Sequence, residues 1–472
     1  MDIKRYKLSI ISTSISVAII GGSLSIPAQA QEDLMGPSYA NEVTKFYDNS
    51  KISANLNFWL RHRDRAGFDK IYGHDTKKTK NLDHGSVFFD IGFNSGYIYD
   101  IVGLDIVAYT TFDMWQTGSP DHEMNFWNVN NPYEKIPKGG CSGPWNSDCN
   151  DNGVSIATAN VKFKYQDLFT AKLGYYQPSV PSTMGVNWSF APGSYLGGEI
   201  GLNFERLALG LTYASEYKAP WFKNTYKFQE TISDGSHSGA GNAYSLGLNY
   251  TIADKINLNI AYGGLTKGQR KNAQLKLKAT TDNGWYLSPQ VYFIHDNEEY
   301  SELAYQLAFI SRYNTGAYTF RAESTYSSAK ARDHKLVGNF AYRLTQDYGG
   351  SNGSYDIWWN NRSDYNHDEE LALFGSVARN LSDWGLNGLS TGVSGAYGFG
   401  AKAPGYNELT EYAFSLFTNY RVPEGLLKNI GLSVYCTWYY NDMNAGDWMP
   451  YTNAFQDETD FKFIVTMPFG IK

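Results

Sequence analysis

Three arginines stand at alternate positions in LNFWLRHRDR, residues 56–65: Arg61, Arg63 and Arg65. A guanidinium is permanently charged and offers five N–H donors in a planar fork. Such a row can therefore hold carboxylates, carbonyls or hydroxyls. In a strand, period two places all three on one face with Asn55, Asn57 and Trp59. Leu56, Phe58 and Leu60 take the other face. At ~3.3 Å per residue the row spans about 13 Å. Turned towards lipid, each arginine would cost about 2–4 kcal/mol at mid-membrane, whereas in a water-filled lumen they line a wet wall.

Two further segments carry recognition chemistry. In SNGSYDIWWNNRSDYN, residues 351–366, one strand parity holds Asp356, Trp358, Asn360, Arg362 and Asp364. The other holds Ile357, Trp359, Asn361, Ser363 and Tyr365. Amides and a guanidinium suit sugar hydroxyls and carbonyls, and an indole can cover the apolar face of a sugar ring. An aromatic girdle accounts for Trp359 better than for Trp358. Residues 175–198, YYQPSVPSTMGVNWSFAPGSYLGG, hold three prolines, Trp188, Phe190 and Tyr195, and no charge. This stretch reads as an inward-folded constriction or as an ordinary surface loop.

Signals for catalysis are weak. H-E-x-x-H does not occur. A calcium-loop pattern starting at Asp148 fails at its twelfth position, where Ala159 stands in place of a bidentate Glu. The acidic run at residues 295–302 reads as a charged loop, so no metal, cofactor or enzymatic activity is expected. Cys141 and Cys149 bracket a polar, turn-rich segment and could form a local disulfide. Cys436 reads as a small packed or lipid-facing residue.

Positioning these groups falls to strands. Residues 1–30 show a basic start, an apolar stretch and a PAQA ending, the layout of an export signal. The rest, 31–472, reads as a single domain. The formal net charge of −7 gives no nucleic-acid footprint. Aromatics reach 16% while mean hydropathy stays at −0.43, which fits a secreted all-β protein or an outer-membrane barrel rather than apolar spanning helices. Residues 242–264 alternate Tyr244, Leu246, Leu248 and Tyr250 with Ser245, Gly247 and Asn249. That predicts a hairpin whose small polar face suits a water-filled lumen. One face of residues 85–99 is predicted to carry Val87, Phe89, Ile91, Phe93, Tyr97 and Tyr99. About 16–20 such segments, near the ~9–11 residues of a tilted membrane strand, alternate with short turns and long loops.

FWLRHRDR, WSFAPGSYLGGE, EYKAPW, SNGSYDIWWNNRSDYN and FQDETDFKF together resemble the OprD family of substrate-specific outer-membrane porins, in particular its chito-oligosaccharide branch. The resemblance implies a transmembrane antiparallel β-barrel of about 18 strands, monomeric, in the outer membrane of a Gram-negative bacterium. It implies a basic ladder begun by Arg61, Arg63 and Arg65, and a constriction built in part by residues 175–198. The expected function is passive uptake of chitin-derived oligosaccharides, with small carboxylates or amino acids as the alternative cargo.

Overall fold

The computed structural model describes residues 37–470 except 70–73, 76, 119–153, 187–189, 191–192, 221, 232–235, 334–337, 346–350, 361–363, 403–407 and 442–456. The expected export signal, Cys141, Cys149, Trp188 and Arg362 all lie outside the described residues.

Eighteen strands make the wall of a closed antiparallel barrel. In chain order they are β1 (Lys51–Arg65), β2 (Thr79–Asn94), β3 (Val102–Gly118), β4 (Ser155–Tyr165), β5 (Phe169–Tyr176) and β6 (Ser194–Asn203). Next come β7 (Leu207–Lys218), β8 (Ala243–Ala253), β9 (Ile256–Leu265), β10 (Lys271–Thr280), β11 (Trp285–His295) and β12 (Ala304–Thr315). The last are β13 (Tyr318–Ser328), β14 (Leu371–Asn380), β15 (Leu389–Ala401), β16 (Leu409–Arg421), β17 (Gly431–Asn441) and β18 (Glu458–Gly470). Each strand pairs with its chain neighbours, and β1 closes the wall by pairing with both β2 and β18. Closure satisfies every strand edge, which a sheet inside a membrane requires. A small hairpin, Tyr226–Thr231 with His237–Gly241, extends the wall beyond β7.

Period-two alternation decides which residues face out. Leu246 is 61% exposed on the outer surface while its neighbours Ser245 and Gly247 face inward. Aromatic pairs mark both rims: Trp285 stacks on Tyr313 beside short turns, and Tyr412 on Tyr440 beside long loops. Cys436 points outward beside the buried, inward Thr437.

Three local expectations change. Strand β2 ends at Asn94, and Tyr99 sits in a turn at φ 53°, so Tyr97 and Tyr99 do not extend the outer face. The described residues of 351–366 form no strand; they belong to a long connection between β13 and β14 that holds only isolated bridges among its described residues. The two-parity assignment of Asp356, Trp358, Asn360 and Asp364 therefore fails. A helix, α1 (Pro37–Asp48), precedes the barrel. It docks on the β2–β3 turn: the Gly96 amide donates to the Phe46 carbonyl at 2.9 Å, and the Tyr99 amide to Glu42 at 2.8 Å.

Candidate pore constriction

The inner face of β1 carries Asn55, Asn57, Trp59, Arg61, Arg63 and Arg65, in the predicted parity. Arg61 and Arg65 are each paired with a carboxylate on β18. Arg61 donates from Nε and Nη2 to Asp460 on β18 at 2.8 and 3.0 Å. Arg65 donates to Glu458 at 2.8 Å. Arg63 stands opposite Asp460 in register. Arg61 and Arg63 are only 2% and 1% exposed. Glu458 and Asp460 alternate at period two on the strand beside β1, so an acidic row answers the basic one. That match was visible in FQDETDFKF and was not used.

Of residues 177–193, between β5 and β6, the described ones lie against the inner wall. The Thr183 amide donates to Ser245 Oγ at 2.8 Å, and Gln274 donates to the Ser182 carbonyl at 3.3 Å. Glycines on the wall make this approach possible. A Cβ at Gly210 would fall 2.4 Å from the Pro181 carbonyl oxygen, and one at Gly247 would fall 2.5 Å from it. So the small face of the β8–β9 hairpin, read from sequence as suited to water, is small in part because a loop packs on it. Phe190 rests against Trp59 and Phe88, with centroids 6.5 and 5.5 Å apart. Trp59 faces inward as predicted, but Phe190 helps cover it and it is buried. Tyr195 belongs to β6 rather than to the loop; its hydroxyl donates to the carbonyls of Gly185 and Asn352 at 2.9 Å.

Those bonds join the first loop to a second, residues 329–370. The Gly185 amide donates to the Asn352 carbonyl at 3.1 Å, and the Ser354 amide to the Thr183 carbonyl at 2.8 Å. The second loop is tied to the wall along its length. The buried Arg270 donates to the carbonyls of Ala341 and Arg343 and pairs with Asp296 and Glu299. Asp356 accepts from Lys276 and Lys278, each at 2.7 Å, and from Gln290 at 3.2 Å. Burial alone would raise the Asp356 carboxyl; the two ammonium groups outweigh it and hold it below the usual carboxylate range. Asn360 accepts from Ser394, Ser415 and Thr437 on β15, β16 and β17.

Between these tethers the two tryptophans turn opposite ways. Trp359 enters the wall, where it stacks on Phe374 at 5.3 Å and donates to Glu323 at 2.8 Å. Trp358 keeps its ring 61% exposed, with its carbonyl held by Arg321 at 2.8 Å. Trp358 is thus left exposed between Asp356 and the wall-bound Trp359 and Asn360. A cavity of about 400 Å³ runs past Asp356 and Pro181, lined by Asn249, Asn257, Asn259 and Lys278.

Most cations of this wall are paired with carboxylates, Lys276 and Lys278 sharing Asp356. Arg61, Arg65, Lys162, Lys172, Lys276, Lys278 and Arg321 each have a carboxylate within 3.0 Å. Lys218 differs, donating to Ser155 Oγ and the Ile156 carbonyl.

A closed 18-stranded wall narrowed by two inward loops is a channel architecture. The model of the outer membrane porin, OprD family, matches residues 44–471. The chain belongs to the OprD family. It is 31% identical to the chitoporin of Escherichia coli K12, over 90% of this chain and 92% of that one. Solved structures from Pseudomonas aeruginosa share the fold. OccK3 (OpdO) superposes with a TM-score of 0.67 at 14% identity, covering 92% of this chain and all of that one. A structure of OpdK with vanillate gives 0.65 at 13% identity, covering 90% of this chain and all of that one. The OprD-family protein is thus a passive outer-membrane channel of a Gram-negative bacterium, not an enzyme.

Proposed function

We propose that this OprD-family porin takes up chitin-derived oligosaccharides, acting as a monomer with its outward apolar face against lipid. The observation that supports the reading is Trp358, an exposed tryptophan whose carbonyl is held by Arg321; we place its indole over the lumen. Carbohydrate rings present apolar C–H faces that stack on such a surface. Asn249, Asn257 and Lys278 line a cavity that Asp356 also borders, and they supply donors and acceptors for hydroxyl and acetamido groups. Transport asks for weak serial contacts; a millimolar site corresponds to about −4 kcal/mol, within reach of one stack and a few hydrogen bonds. The balanced ion pairs favour a neutral cargo over carboxylates, which would find the wall's guanidinium and ammonium groups already engaged. The kinship to a chitoporin supports the same class of cargo.

Liposome swelling tests this. Proteoliposomes should swell faster in N-acetylglucosamine oligomers than in maltose oligomers of equal length. Equal rates for both sugars, with faster entry of benzoate or arginine, would replace the sugar reading with the carboxylate or amino-acid one.

A further inference from the structure

Where the second loop re-enters the wall, three ligating side chains meet away from the sugar passage. His367 Nδ1 lies 2.8 Å from Glu370 Oε2 and 3.3 Å from Glu411 Oε1. All three side chains are fully buried. One ligand atom from each lies within 4.8 Å of the others. Both His367 distances are those of hydrogen bonds to carboxylates, close to the about 3.0–3.4 Å between donors that share an ion at ~2.0–2.1 Å, so a small shift would let an ion replace the bridging proton. An independent observation points the same way. Glu370 Oε1 is buried with no hydrogen-bond partner among the described residues, a costly state for a carboxylate oxygen unless a ligand takes it. A Cβ at Gly398 would fall 2.1 Å from that atom, so only a glycine there leaves it room. Glu411 also has an outer support: the Tyr439 hydroxyl donates to its Oε2 at 2.6 Å.

We propose that His367, Glu370 and Glu411 form a binding site for one divalent transition-metal ion, Zn²⁺ being the type. One imidazole nitrogen and two carboxylates are a donor set that such ions accept, and the two carboxylates neutralise the ion's charge. On binding, the Nδ1 proton that bridges the carboxylates leaves to solvent and the nitrogen lone pair takes its place at the ion. His367 also pairs with Asn339 within the second loop, so the ion would pin the end of that loop, and the segment bridged to it, to β16. The site stands apart from the sugar reading and does not depend on it.

The test uses the full, untagged porin in detergent, stripped with a chelator and then given ZnCl₂. After desalting, elemental analysis should find one zinc per chain, and the thermal midpoint should rise with zinc. Glu370→Gln, close in shape to the native residue, should abolish the stoichiometric zinc. Tyr439→Phe should weaken binding about 10–100-fold, the usual cost of losing an outer partner. X-ray absorption should show only nitrogen and oxygen neighbours. Wild-type protein that holds no stoichiometric zinc overturns the proposal whatever the variants do. So does equal zinc binding by wild type and Glu370→Gln, which would mean that the ion sits elsewhere.

Discussion

Adjacent residues in this protein divide the work of one dipeptide. Trp359 is structural: its ring stacks on Phe374 and its N–H satisfies Glu323. Trp359→Ala should cost about 3–5 kcal/mol, seen as a lower thermal unfolding midpoint. Trp358 is exposed, so Trp358→Ala should leave the midpoint unchanged and, on the proposed reading, weaken sugar affinity about tenfold, a loss of about 1.4 kcal/mol. The arginine row divides likewise. Asp460→Ala leaves Arg61 buried without its carboxylate partner, a change of about 3–5 kcal/mol in stability that denaturation would report. The period of β1 showed which way the arginines face. Their pairing with Glu458 and Asp460 depends on barrel closure between the first and last strands, some 400 residues apart in the chain.

At the scale of elements, the two loops make the pore and the wall glycines seat them. Gly247→Val would drive Cβ and its methyls into Pro181. The expected result is a displaced first loop, read as higher single-channel conductance and weaker sugar block. The second loop depends on Asp356. Its carboxyl pKa is held down, so the tether is in place above the ordinary carboxylate value and is lost only as pH falls through the lower folded one. Conductance should therefore stay flat on acidification to about pH 4 and rise only below it. Strands were legible in the sequence because period two repeats along the wall and each outward residue meets the same environment. The second loop was not. DIWWNNRSD alternates well enough to pass for a strand, but its polar groups find partners one at a time on Lys276, Arg321, Ser394 and Ser415 rather than in a ladder. The helix α1 was missed because its contacts are made with a turn some 50 residues later.

For the whole molecule, the pairing of charges between adjoining strands is what the proposed neutral cargo rests on. Basic and acidic residues lie on adjoining strands, Lys172 opposite Glu199 and Arg65 opposite Glu458, so the passage keeps polarity without a strong net field. Changing Asp460 and Glu458 together to their amides should shift the reversal potential towards anion selectivity in a salt gradient. An unchanged potential would mean that this pair of strands does not border the conducting path.

The most direct measurement is single-channel recording in planar bilayers with N-acetylglucosamine oligomers on one side. The account predicts brief, concentration-dependent blocks whose residence time shortens in Trp358→Ala, with little effect of benzoate or free arginine. Blocks by benzoate or arginine with none by the sugar, or sugar blocks unaltered by Trp358→Ala, would contradict it.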